Sequence, residues 1–127
     1  MRFTLRLALI LLPLLLFVAV PAQVQEVEVG TNLICDTQEQ VERFVALYDG
    51  DAQAAISAVN AAEHNPTACG MATAAFVRGP QLATARNKDT TFNIVRLFVV
   101  AVVTEAGVES VTPAAFFSLI PIEEIPV

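Results

Sequence analysis

Two periodicities divide this chain. Val41, Phe44, Val45 and Tyr48 follow the i, i+3, i+4, i+7 spacing of one buried helical stripe. From Thr91 to Thr104, in contrast, apolar side chains run almost without interruption, and most are β-branched or aromatic. That is the composition of a strand covered on both sides.

The helical region carries its own boundaries. Asp36 or Thr37 can serve as N-cap, and Glu39 and Gln40 stand three residues on from each, so either register forms a capping box. Glu39 and Arg43 sit at i, i+4 with the acid on the N-terminal side, the better orientation. Asp49-Gly50 is expected to end this helix, with glycine in the left-handed C′ position. Asp51 then caps a second helix from Ala52 to about Glu63, stopped by Asn65-Pro66. Ile56 and Val59 are its large apolar contacts, while Ala55 and Ala62 permit close approach to a neighbour. The short link between the helices implies an antiparallel hairpin or a sharp corner.

From Cys69 onward the pattern is that of strands. Met71 to Arg78 reads as one strand, broken by Gly79-Pro80, and Gln81 to Arg86 as another short one. Asn87-Lys88-Asp89 is a turn, Thr91 to Thr104 a long strand, and Glu105-Ala106-Gly107 a tight turn into the return strand Val108 to Ile120. Pro113 cannot donate a ladder hydrogen bond, so its strand lies at an edge or bulges there. Strict alternation puts Thr91, Asn93, Val95, Leu97, Val99, Ala101 and Val103 on one face of the long strand. Phe92, Ile94, Arg96, Phe98, Val100 and Val102 fall on the other. Two helices can cover one face. The other needs curling of the sheet, the N-terminal segment, or another molecule. Leu33-Ile34-Cys35 is a short strand leading into the first helix, and the alternating segment before it is an edge strand or an unfixed terminus. The expected fold is α+β: a helix pair on an antiparallel, curled sheet of three to five strands, spanning residues 32–120, with 121–127 as an extended tail.

The N-terminal residues set the context. Arg2 and Arg6 precede Leu7 to Val20, which is nearly pure hydrocarbon, and Val20-Pro21-Ala22 places small residues where a signal peptidase reads. Residues 1–22 therefore read as a cleaved secretory signal peptide, with 23–31 as the first mature segment. Fourteen residues interrupted by Pro13 are too few for a spanning helix, which needs about 20, so no stable membrane anchor is expected after cleavage. The location implied is secreted or periplasmic.

Export changes the meaning of the only two cysteines, Cys35 and Cys69. In an oxidising compartment an even count points to a disulfide. Their spacing is not that of a C-x-x-C redox motif, and two cysteines with one histidine make a poor zinc site. No cofactor or metal is expected. Cleavage also leaves a chain of 105 residues and shifts the net charge from −6 to −8, because Arg2 and Arg6 leave while all 13 acidic residues stay. An acidic domain repels phosphate backbones, so nucleic acid is not an expected partner. A cationic protein would be attracted.

Candidate chemistry is sparse. His64, the one histidine, falls at the end of the second helix, where a surface or capping role accounts for it. Ser57, Ser110 and Ser118 lie in no recognised nucleophile context. Asp49 and Asp51 flank Gly50 without the further oxygen ligands of a calcium loop, and Glu123-Glu124 lies in a proline-bracketed tail. Arg78, Arg86, Lys88 and Arg96 carry nearly all the mature positive charge. If the sheet gathers Arg78, Arg86 and Arg96, they form a possible anion-binding group.

The run from Cys35 to Phe44, the segment Pro66-Thr67-Ala68-Cys69 and the closing Phe116-Phe117-Ser118-Leu119 resemble small exported proteins of alphaproteobacteria. The resemblance implies a bacterial exported protein and brings no activity or site residue with it. The function expected is a non-enzymatic binding or structural module, self-associating or binding a cationic protein partner such as a hydrolase it would inhibit. The alternative is a small anion or ligand carrier, or a minor enzyme, using His64 or the arginine group.

Overall fold

The computed structural model describes residues 26–121. The reading of residues 1–22 as a signal peptide and most of the 121–127 tail lie outside them. The element order is β1 (Val27–Cys35), α1 (Gln38–Leu47), α2 (Ala52–Glu63), β2 (Cys69–Arg86), β3 (Thr91–Thr104) and β4 (Gly107–Pro121). The four strands pair antiparallel in sequence order. The fold is α+β, with a helix pair packed on one curled sheet.

The local helix signals act as the sequence indicates. Of the two cap registers, Thr37 with Gln40 is the one formed. The Thr37 hydroxyl accepts from the Gln40 amide at 3.2 Å, and Gln40 Oε1 accepts from the Thr37 amide at 3.1 Å. The remaining end of the buried Gln40 carboxamide donates to Glu63 Oε1 at 2.7 Å, tying α1 to the last residue of α2. Asp51 caps α2 through the Ala54 amide. The end of α1 differs from expectation. Tyr48 is an extended C-cap, so the positive φ of Gly50 turns the link to α2 and does not close the helix. The carbonyls of Val45 and Tyr48 accept from the Asn87 carboxamide, which reaches over from the β2–β3 turn. Ala55 is buried as expected, but Ala62 faces solvent.

Three strand expectations change. Of the two readings of the segment before Leu33, the edge strand holds from Val27 onward, but it is continuous with Leu33-Ile34-Cys35 as one nine-residue strand, β1. Gly79-Pro80 does not break the chain into two strands, because β2 runs through it with register shifts on either side of Gln81. A Cβ at Gly79 would meet the Arg96 carbonyl oxygen at 2.8 Å, so the two backbones come together there only because glycine has no side chain. The alternation along β3 also reverses. Val99 pairs with Phe76 and Ala101 with Ala75, leaving Val100 as a bulged residue. Beyond it, Val102 joins the face of Val95, Leu97 and Val99, and Ala101 moves to the opposite one. Pro113 lies opposite this point, in the irregular stretch of β4 between Ser110 and Ala114.

These bulges bend the sheet enough to bury its inner face on itself. Ala74, Phe76, Val95, Leu97 and Val99 form an inner core, flanked by Ile34, Val102, Phe116 and Ile120. Closure is by one bridge, Cys35 with Phe117, so β1 and β4 meet at one end and part along the rest of β1. The helices cover one end of the outer face, where Val41, Phe44, Val45, Ile56 and Val59 pack with Leu33, Phe92 and Ile94. The Cys35–Cys69 disulfide joins the last residue of β1 to the first of β2, directly opposite each other with Cα atoms 4.1 Å apart. The chain thus leaves the sheet at Cys35 and returns at Cys69, with both helices as the excursion between. Asn60 of α2 fixes the return. It accepts from the Cys69 amide at 2.9 Å and donates to the carbonyls of Cys69 and Pro66.

Candidate functional site

The outer face beyond the helices is the candidate interaction surface. Its first row crosses the sheet through Val27, Val77, Phe98 and Ala115, each paired with the next. Val29 lies one step along β1 on the same face, and past the bulge come Ala101 and the pair Val103 and Val108. Val29 is 67% exposed, Phe98 45% and Val108 70%. Adjacent strands lie about 4.8 Å apart and each residue advances about 3.3 Å, so the face measures roughly 15 by 17 Å. Arg96 at its border is the charged residue nearest Phe98 on the face, and its guanidinium sits over the Phe117 ring, 5.6 Å from the centroid. Stacking of this kind spends the flat cation on a local aromatic partner.

The arginine group expected to hold an anion is not assembled. Arg78 pairs in register with Leu97 and Arg96 with Phe117, and since residues 96 and 97 point to opposite faces, Arg78 and Arg96 do too. Arg78 is engaged by Glu28 in a two-pronged ion pair at 2.9 and 3.1 Å. Arg86 shares the face of Arg78 but pairs with Thr91, six residues down β3 and so roughly 20 Å away.

His64 is the C-cap of α2 in the left-handed conformation, with φ 54°. It is exposed and borders a shallow depression with Ser57, Asn60, Asn65 and Pro66. That depression offers a serine and a histidine without the carboxylate that would orient the imidazole. Asp51 is occupied as a helix cap. Among the described residues no three histidine, cysteine or acidic side chains gather as metal ligands, and no helix is long and apolar enough to cross a membrane. The disulfide is compatible with an oxidising, exported location.

Compared with known proteins, the chain matches no family model, no curated protein and no solved structure. The outer face was not legible as a unit in the sequence. Its members come from four strands, and the Val100 bulge decides which side Ala101 and Val103 occupy. The one available signal was the length of the β3 apolar run against the shortness of two helices.

Proposed function

We propose that this protein is an exported, non-enzymatic binding module, secreted or periplasmic, that associates with a second copy of itself through the uncovered outer face of its sheet. The carrying observation is the apolar row Val27, Val77, Phe98 and Ala115, continued by Val29, Val103 and Val108, on a face whose bordering arginine is already stacked on Phe117. Charge distribution favours a second copy as occupant. Six of the thirteen acidic residues, Asp36, Glu39, Glu42, Asp49, Asp51 and Glu63, belong to the helical excursion, against Arg43 alone, so apolar faces can meet while about half of the acidic charge stays on the helices. A face of roughly 250 Å² is somewhat smaller than the largest apolar patch of a typical monomer, about 300–600 Å², and well below what a permanent dimer buries, so the association is weak and concentration-dependent.

Light scattering on the protein recovered from the periplasm of an expressing bacterium tests this. The mean mass rises from monomer towards dimer between low and high micromolar concentration, and Phe98→Ser abolishes the rise. A strict monomer throughout refutes it.

A second reading rests on the same carboxylates. A cationic protein, such as a cell-wall hydrolase, would dock on the helical layer, inhibited at low salt and released as salt rises. No inhibition of a lysozyme-type enzyme at low salt removes that reading.

A further inference from the structure

The parting of β1 from β4 leaves a cavity of about 420 Å³ under the helices. Leu33 of β1, Phe44 of α1, Phe92 of β3 and Leu119 of β4 form its apolar wall. Asn32, Tyr48 and Thr90 also line it, and Ala52, the first residue of α2, stands beside them. From this geometry we infer a binding site for a small, neutral, ring-bearing molecule with one or two hydrogen-bonding groups.

Four observations specify that occupant. The volume falls within the range of about 300–1,000 Å³ typical of small-molecule sites. The wall is aromatic in a set geometry: Phe44 stacks on Tyr48 with centroids 5.5 Å apart, and Tyr48 meets Phe92 edge-on at 6.5 Å. A flat ring entering there finds both a face and an edge to pack against. The polar members, an amide and hydroxyls, can each donate and accept, which suits a hydroxyl, carbonyl or amide on the ligand. Finally, among the described residues no lysine, arginine, histidine, aspartate or glutamate lines the cavity, so a charged ligand would lose hydration without gaining a counter-charge there.

The same charge argument disfavours the chain's own C-terminal residues as the occupant. Residues 122–127 follow β4, which ends at Pro121, the partner of Phe92. That segment carries Glu123 and Glu124, and a carboxylate would lose hydration against a lining whose described residues are uncharged. The site shares none of the residues of the sheet face proposed for association, although Thr31 of its lining neighbours Val29 on the same face of β1.

The test uses the neutral fluorescent ring compound N-phenyl-1-naphthylamine with the exported protein. Saturable one-to-one binding is expected, with blue-shifted emission and amide chemical-shift changes concentrated at Asn32, Tyr48 and Thr90. Ala52→Phe, which fills the cavity from a half-buried position, weakens binding at least tenfold. Phe98→Ser leaves binding unchanged even where it abolishes self-association, so the two proposals fail separately. The sulfonated analogue 8-anilinonaphthalene-1-sulfonate binds at least tenfold more weakly. Absence of saturable binding overturns the inference, as does binding lost in Phe98→Ser but kept in Ala52→Phe. Equal affinity for the sulfonate overturns neutrality, and binding that appears only after deletion of residues 122–127 assigns the cavity to the tail.

Discussion

Ile94 and Phe98 lie one helical layer apart on the same strand and point the same way, yet Ile94 is fully buried and Phe98 is 45% exposed. Their neighbours differ in the same sense. Leu33, Cys35 and Phe92 are buried beneath the helices, while Val27, Val29, Val103 and Val108 are open. Nothing in the strand sequence separates the two halves, since both are apolar. Length does. At about 1.5 Å per residue the ten residues of α1 reach about 15 Å, while the fourteen residues of β3 extend roughly 46 Å. Curling buries the inner face along much of β3, but the helices can shield only part of the outer one. Burial here is set by the reach of the covering layer more than by the hydrophobicity of the covered one.

That contrast can be broken by substitution. Ile94→Ala is expected to destabilise the fold by about 4 kcal/mol, because a closed site cannot collapse around the lost atoms. Phe98→Ala on the same strand costs under about 1 kcal/mol in the monomer. Similar losses in urea denaturation would show that the two halves are equally packed. Next in size is the double variant Cys35→Ser, Cys69→Ser. It is expected to cost about 3 kcal/mol, since the bridge closes a separation of 34 residues within the covered half. Asn60→Ala follows at about 2 kcal/mol, because it strips hydrogen bonds from both the amide and the carbonyl of a Cys69 that is 3% exposed. Thermal unfolding of each variant measures these. At the uncovered end Arg78→Ala, which removes an ion pair between half-exposed side chains, should change stability by about 0.5 kcal/mol or less. A larger loss would mean that the end near Glu28 is less open than the exposure of these two side chains implies.

The helices were legible because their signals are local. Thr37, Gln40 and Asp51 act within one turn of themselves, and the stripe Val41, Phe44, Val45 and Tyr48 faces the core as its spacing requires. The cysteine pair was legible because two cysteines allow one intrachain pairing, and the structure forms it. What the sequence hid depends on partners far away in the chain. Gly79-Pro80 looks like a break, but paired strands can absorb a residue without a donor at a bulge. The single extra residue Val100 inverts the faces beyond it, and no periodicity within β3 marks the place. The helix end at Tyr48 is satisfied by Asn87, some forty residues on, so Gly50 proved a poor guide to it. The arginines share a sequence neighbourhood, and strand alternation alone keeps Arg96 from Arg78. The cavity draws on segments from Asn32 to Leu119 and exists only because β1 and β4 separate.

The placement of Cys35 opposite Cys69 also bears on how fast the chain finds its structure. Along the backbone Val27 and its partner Val77 are fifty residues apart, a distance that makes strand pairing slow. Once the bridge has formed, each lies eight residues from a shared crosslink, and β1 and β2 can zip from that point like the arms of a short hairpin. The helices become a side loop that need not be ordered first. Refolding from denaturant should therefore be faster with the bridge intact than after its reduction, in proportion to how much of the β1–β2 ladder is formed at the rate-limiting step.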